Sequence, residues 1–181
     1  MNDITYDVAI VGAGPAGSTA AKFLSEKGLK VILIEKHKFP RDKSCGGGLS
    51  NRVLVEFDYI NNERFIESYS YCGIAHSPTL KNKIEVHEKN PIIASVLREK
   101  FDYELVKLAK ENGTYLLEGK SVRDFEILKD EVKIILDNKA IINSKVLIGA
   151  DGVWSLIAKK TGLRPSQIDY GVCTQKEFEV D

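Results

Sequence analysis

The residues near the N-terminus best suited to chemistry are Gly12, Gly14 and Gly17, spaced as Gly-x-Gly-x-x-Gly, with Glu35 eighteen residues beyond the last of them. At that spacing the first glycine permits a tight turn, the second lets bare backbone approach a pyrophosphate, and the third lets a helix pack closely on a strand. A lone motif of this kind is a weak signal. Here it lies between an apolar run, Tyr6 to Val11, and a helix-forming stretch, Ser18 to Lys27. Phosphate capture at a helix N-terminus requires that context. Glu35 closes a second apolar run beginning at Lys30. A carboxylate at that point accepts hydrogen bonds from ribose hydroxyls and repels a 2′-phosphate, so the expected nucleotide is FAD or NAD rather than NADP.

Three further segments carry candidate chemistry. Gly149-Ala150-Asp151-Gly152 follows an apolar run, 140–148, and reads equally well as a plain turn or as a carboxylate and bare backbone beside a dinucleotide. Phe39 to Ser50 contains Cys45-Gly46-Gly47-Gly48, a loop able to lie flat against a planar ligand. Arg98 stands where a strand, 92–97, gives way to a helix, 99–111, and is either an exposed helix residue or a phosphate partner. Cys72 and Cys173 read as buried, inert thiols within strands. His37, His76 and His87 have no sequence neighbours at catalytic spacing and read as surface or loop residues, and Trp154 reads as a packing residue.

The elements that must position these groups follow from periodicity. Tyr6–Val11, the helix with Ala20, Phe23 and Leu24 on one face and Gly28 as its stop, and Lys30–Glu35 make one βαβ unit. A short helix is expected near 50–57, strands at 69–76, 81–88 and 92–97, and a helix at 99–111 with Phe101, Leu105, Leu108 and Ala109 facing the core. Three strands then follow, near 114–128, 131–137 and 140–149, turning at Asp130 and Asn138. This order predicts an α/β fold: a Rossmann-like nucleotide-binding sheet carrying a β-meander and an antiparallel insertion. The last residues, Glu177 to Asp181, read as the opening of another strand.

Composition narrows the function class. The 181 residues hold 26 Lys plus Arg against 26 Asp plus Glu, with 43% hydrophobic residues. Balanced charge gives no footprint for nucleic acid or an anionic membrane. Only 6 of the basic residues are Arg, so each planar phosphate-binding fork stands out. Three scattered cysteines with no CxxC pair suggest neither a zinc site nor a disulfide framework, and a reducing, cytoplasmic setting is expected. No apolar run approaches the ~20 residues of a membrane span.

Taken together, Gly12 to Gly17, Glu35-Lys36, the Phe-Pro-Arg-x-Lys-x-Cys-Gly-Gly-Gly-Leu-Ser segment at 39–50, Leu97-Arg98 with Phe101-Asp102, and Gly149 to Gly152 resemble the flavoproteins of p-hydroxybenzoate-hydroxylase fold. The Cys-Gly-Gly-Gly segment is similar to their geranylgeranyl reductase branch. The resemblance runs from Tyr6 to about Gly162. It implies an FAD-binding domain over 1–60 and 90–162 and part of an antiparallel substrate domain over 61–89 and 163–181. It implies that FAD meets Gly12, Gly14, Ala16 and Gly17 at the pyrophosphate and Glu35 and Lys36 at the adenosine ribose. Cys45, Gly46 and Gly48 would line the flavin, with Arg98 facing the cofactor, Val122 meeting the adenine through its backbone, and Asp151-Gly152 touching FAD. It implies an oxidoreductase that reduces C=C bonds of a polyprenyl group on an isoprenoid or other apolar substrate. The electron donor would be NAD(P)H, ferredoxin or a deazaflavin, and membrane contact in the complete protein would be peripheral. A flavin monooxygenase acting on a small aromatic, or a non-catalytic FAD-binding fragment, are the alternatives. The chain looks like an N-terminal portion of that family, and its sequence does not identify a proton donor.

Overall fold

A computed structural model describes residues 5–165, 167–169 and 171–176; the strand expected at Glu177 to Asp181 lies outside the described residues. The chain forms two compact units. The described residues of Met1–Arg41 and Asp102–Cys173 make the first, and those of Asp42–Phe101 and Thr174–Asp181 make the second.

In chain order the strands and helices are β1 (Thr5–Val11), α1 (Pro15–Glu26), β2 (Val31–Glu35), β3 (Gly48–Ser50), α2 (Asn51–Glu56), β4 (Ser68–Ser70), β5 (Cys72–His76), β6 (Lys83–His87), β7 (Ile93–Ser95), α3 (Arg98–Glu111), β8 (Tyr115–Glu118), β9 (Val122–Ile127), β10 (Val132–Leu136), β11 (Ile141–Gly149) and α4 (Leu156–Lys160). The first unit is built on a six-stranded sheet in the order β8-β2-β1-β11-β10-β9. β8, β2, β1 and β11 run parallel, and β11, β10 and β9 form the antiparallel meander. β2 is buried along its whole length, as a strand covered on both faces must be. One face packs Val8, Ile10, Val31 and Leu33 against Ala21 of α1 and Val106 and Ala109 of α3. The other packs Ala9, Val11, Ile32 and Ile34 against Phe125, Ile134 and Leu136 of the meander and Ile157 of α4.

α1 begins with Pro15 in its first turn, where the missing N–H costs nothing. It ends at Gly28, whose φ of +78° permits the paired bonds Gly28 N–H to Ser25 O (2.8 Å) and Leu29 N–H to Leu24 O (3.3 Å). The fully buried residues of α1 are Gly17, Ser18, Ala21, Lys22 and Ser25; of the expected Ala20, Phe23 and Leu24, Ala20 and Leu24 pack half-buried against the core and Phe23 is exposed. Gly17, Ser18, Ala21 and Ser25 are small, which lets the helix lie close on the sheet. Ser25 Oγ is 2.7 Å from Thr114 Oγ1, which also donates to Ala21 O. In α3, Val106 is buried where Leu108 was expected to be. The single strand expected at 114–128 is two. Gly119 (φ +70°), Lys120 and Ser121 break it, so β8 joins one edge of the sheet and β9 the opposite edge.

In the second unit, β3, β7 and β4 form a three-stranded antiparallel sheet, and β5 and β6 pair alone. The strand expected at 69–76 is therefore divided at Tyr71 between two sheets. Phe65 and Phe101 meet edge to face at 6.0 Å in the interior of this unit.

Candidate functional site

The turn after β1 is fixed by its glycines and by Glu35. Gly12 has a φ of +98°, and a Cβ there would lie 2.3 Å from Ala150 O; a Cβ on Gly17 would lie 1.8 Å from Gly12 O. These two glycines are demanded by the fold, because β1 and β11 run side by side with Val11 opposite Gly149. Gly14 is different. A Cβ there would meet only Arg41 Nη2, at 3.9 Å, so the space above it is open to a ligand. Gly14 caps α1 without a side-chain hydrogen bond, and the first turn holds no acidic residue. The first turn therefore has neither a side-chain cap nor an acidic residue to neutralise it, and the helix dipole leaves partial positive charge there. Ala16, in that turn, is exposed.

Glu35 ends β2 and is 5% exposed. Its Oε2 accepts the Ala13 N–H (2.9 Å), and its Oε1 accepts the His37 N–H (3.1 Å). The carboxylate thus ties the glycine turn to the end of the next strand. Lys36 beside it is exposed.

Arg41 was not singled out by the sequence as a site residue, yet it completes this cradle. Its Nη2 lies 3.0 Å from Asp102 Oδ2 and 3.9 Å from Glu35 Oε2, and the Asp102 side chain is fully buried. The guanidinium lies over the Phe39 ring at 5.1 Å, and Phe39 stacks on Tyr103 of α3. Arg41 Nε and Nη1 are buried and have no hydrogen-bond partner among the described residues. Desolvated N–H groups of a charged fork are costly to leave unmade. Such nitrogens are suited to an anion or hydroxyl reaching the turn. The signal was present in the Phe-Pro-Arg segment, but its meaning depends on Asp102, sixty-one residues away.

The turn after β11 lies beside the first: the Cβ position of Gly12 is 3.0 Å from Asp151 Cα. The Asp151 carboxylate, however, is occupied by α4. It accepts Ser155 Oγ–H (2.5 Å) and the N–H of Leu156 (2.7 Å) and Ile157 (3.4 Å). What this turn presents nearest Gly12 is backbone, with Gly152 exposed at φ +80°. Val122 opens β9 on the sheet edge opposite β8, half-buried; it is Lys120, two residues earlier, whose N–H bonds Glu35 O at 3.1 Å. The structure thus brings Gly12, Gly14, Gly17, Glu35 and the 149–152 turn together in one unit.

Cys45, Gly46, Gly48 and Arg98 belong to the second unit. Cys45 is exposed, its N–H donates to Gln175 Oε1 (2.7 Å), and its Sγ accepts the Gly47 N–H at 3.5 Å. Gly47, at φ +65°, is pressed so close to Val96 that a Cβ would lie 2.2 Å from its carbonyl oxygen, which fixes the loop. Gly46 and Gly48 are exposed, and Arg98 is the half-buried first residue of α3.

Three expectations are corrected here. Cys72 and Cys173 are exposed rather than buried, and Cys173 lies in no strand. Trp154 is 71% exposed, with the Arg164 guanidinium over its ring, so it is not core packing. His87 does have close partners, because strand pairing supplies what sequence spacing could not: Cys72 Sγ and Glu85 Oε1 both face its ring. None of the three cysteines is in a disulfide.

Comparison with known proteins decides what the cradle belongs to. Residues 5–180 match the family described as FAD binding domain. The chain belongs to that family. This FAD binding domain is 35% identical, over 185 aligned positions, to a digeranylgeranylglycerophospholipid reductase of Methanosarcina acetivorans, covering 97% of this chain and 45% of that protein. It is 31% identical over 180 residues to a menaquinone reductase of Mycobacterium tuberculosis, covering 96% and 44%. A crystal structure of a geranylgeranyl bacteriochlorophyll reductase-like protein from Thermoplasma acidophilum superposes with a TM-score of 0.73 at 31% identity, covering 82% of this chain and 39% of that one. The chain spans less than half the length of these relatives. The cofactor of the fold is FAD, and the residues present fit it: an open glycine, a helix start with no side-chain cap and two guanidinium nitrogens without partners among the described residues suit an anionic dinucleotide. Among the described residues no helix is long and apolar enough to cross a membrane.

Proposed function

We propose that the protein is an FAD-dependent oxidoreductase whose complete form saturates isolated C=C bonds of polyprenyl groups. The observation that carries the cofactor half of this reading is the buried, partly orphaned guanidinium of Arg41 beside Gly14. The substrate half is supported by relatives at 31–35% identity whose names are those of isoprenoid-lipid and menaquinone reductases. Bound FAD, once reduced, supplies the hydride for such a step.

In this reading the backbone of Gly12, Gly14, Ala16 and Gly17 receives the pyrophosphate at the positive end of α1. Arg41 donates Nε–H and Nη1–H to the same anionic region, and Asp102 holds it in place. Glu35 keeps the turn closed around the adenosine half, with Lys36 at its rim and Val122 and the 151–152 backbone flanking it. Cys45, Gly46, Gly48 and Arg98 serve the flavin half, on the strength of the family resemblance. The apolar substrate and the electron donor are those expected above.

The test has two parts. FAD titrated into the purified chain binds at one equivalent, and NADP does not compete. The whole protein, supplied with FAD and a reductant, adds one pair of hydrogens per double bond to a geranylgeranyl lipid. Oxygen consumption coupled to hydroxylation of an aromatic, with no gain of hydrogen by the lipid, would assign it to the monooxygenases instead.

A further inference from the structure

The hairpin β5–β6 carries a cluster that the cofactor reading leaves unused. Strand register sets Cys72 directly opposite His87, and Glu85 lies two residues before His87 on the same face of the strand. Cys72 Sγ is 3.8 Å from His87 Nε2, and His87 Nε2 is 2.8 Å from Glu85 Oε1. The three ligating atoms all fall within 4.8 Å of one another. Each side chain is exposed, so none is held there by core packing.

This geometry separates two readings of a Cys-His-Glu set. In a nucleophilic relay the imidazole faces the thiol with one nitrogen and the carboxylate with the other. Here thiol and carboxylate both address Nε2. Three donors converging on one point are arranged as ligands, not as a relay. On bonds of about 2.3 Å to sulfur and about 2.0 Å to nitrogen and oxygen, a tetrahedral zinc ion separates sulfur from nitrogen by roughly 3.5 Å and nitrogen from oxygen by roughly 3.3 Å; the 3.8 Å and 2.8 Å found each come within about half an ångström of this, the hydrogen bond opening as the ion enters. Lys83 is bonded to the other carboxylate oxygen, Oε2, at 2.9 Å, which leaves Oε1 as the ligating atom.

The hairpin also has a use for such an ion. It is a two-stranded sheet with none of its ten residues buried, and isolated two-stranded sheets are marginal in water. An ion held by Cys72 on β5 and by Glu85 and His87 on β6 cross-links the two strands. We propose that Cys72, Glu85 and His87 form a divalent-metal site of zinc type, with solvent or a further ligand at the fourth position, that staples this hairpin. Thiolate with imidazole and a carboxylate selects zinc over magnesium or calcium. On binding, the thiol proton passes to solvent as the S–metal bond forms, and no electron is transferred.

Cobalt(II) is the probe, since it takes the same tetrahedral ligands and reports a bound thiolate by charge-transfer absorption. Under reducing conditions the 181-residue chain is expected to develop that band to saturation at one equivalent, and one equivalent of zinc is expected to abolish it. Cys72→Ala removes the band, His87→Ala weakens binding at least tenfold, Glu85→Gln weakens it by less, and Cys173→Ala changes nothing. These side chains are exposed, and unchanged circular dichroism verifies that each variant is folded. A band that survives in Cys72→Ala, or no saturable binding by the wild-type chain, overturns the proposal.

Discussion

The two units hold their polar chemistry in opposite ways. Around the glycine turn, Glu35 and Asp102 are buried and backbone crowding at Gly12 and Gly17 holds the chain in place. On the β5–β6 hairpin, Cys72, Glu85 and His87 meet in the open, and only strand register assembles them. The difference teaches which groups resist change. A buried charge removed from its partner leaves a cost that cannot be relieved by solvent, whereas an exposed partner is replaced by water.

The largest effect is expected at the turn itself. Gly12→Ala forces a side chain into left-handed backbone and against Ala150 O, and is expected to cost about 3 kcal/mol or more. Gly28→Ala shares the positive φ but meets nothing within 4 Å, and is expected to cost about 1 kcal/mol. Chemical denaturation of both variants measures the gap, and equal losses would mean that crowding at the turn is not what fixes it.

Next is the buried ion pair. Asp102→Ala strips Arg41 of its nearer carboxylate and leaves only Glu35, at 3.9 Å, and a loss of about 3 kcal/mol is expected. An exposed carboxylate removed from the hairpin in Glu85→Gln is expected to leave the unfolding midpoint of the metal-free chain nearly unchanged. Similar midpoints for both variants would erase the contrast between the units.

A third comparison concerns affinity. Glu35→Ala frees the Ala13 and His37 N–H groups and is expected to weaken FAD binding by about 1–3 kcal/mol. Glu26→Ala, on the exposed side of α1 and paired with Lys22, is expected to leave affinity alone. Calorimetric titration of FAD into each variant decides it.

The smallest effect is a pH trend. The Lys83 ammonium, and then the His87 ring, hold the Glu85 carboxyl below the usual carboxylate range. A depressed folded value means the contribution is present above the ordinary carboxylate pKa and fades as pH falls through the lowered one. The slight stability difference between wild type and Glu85→Gln is therefore expected to close in acid. A difference that grows on acidification would contradict the assignment of partners.

Much of the first unit was legible because it is local. The βαβ run from Tyr6 to Glu35, the stop at Gly28 and the meander turns at Asp130 and Asn138 each depend on near neighbours. What was not legible depends on pairing. Residues 114–128 read as one strand because Gly119 is a single glycine between two strand-like runs, and only the sheet order shows that the halves go to opposite edges. Arg41 read as part of a loop because its partner, Asp102, comes from α3. Cys72 and His87 are fifteen residues apart, and no spacing rule joins them without the register of β5 and β6. Asp151 was legible as a turn residue, but its commitment to the N–H groups of α4 was not.

The central claim is that this chain builds an anion-receiving FAD cradle completed by Arg41. FAD titrated into the wild-type chain and into Arg41→Met tests it most directly. The account predicts one-to-one binding by wild type, and at least about tenfold weaker binding, some 1.4 kcal/mol, by a variant that remains folded. Equal affinity in the two, or no FAD binding by the wild-type chain, would contradict it.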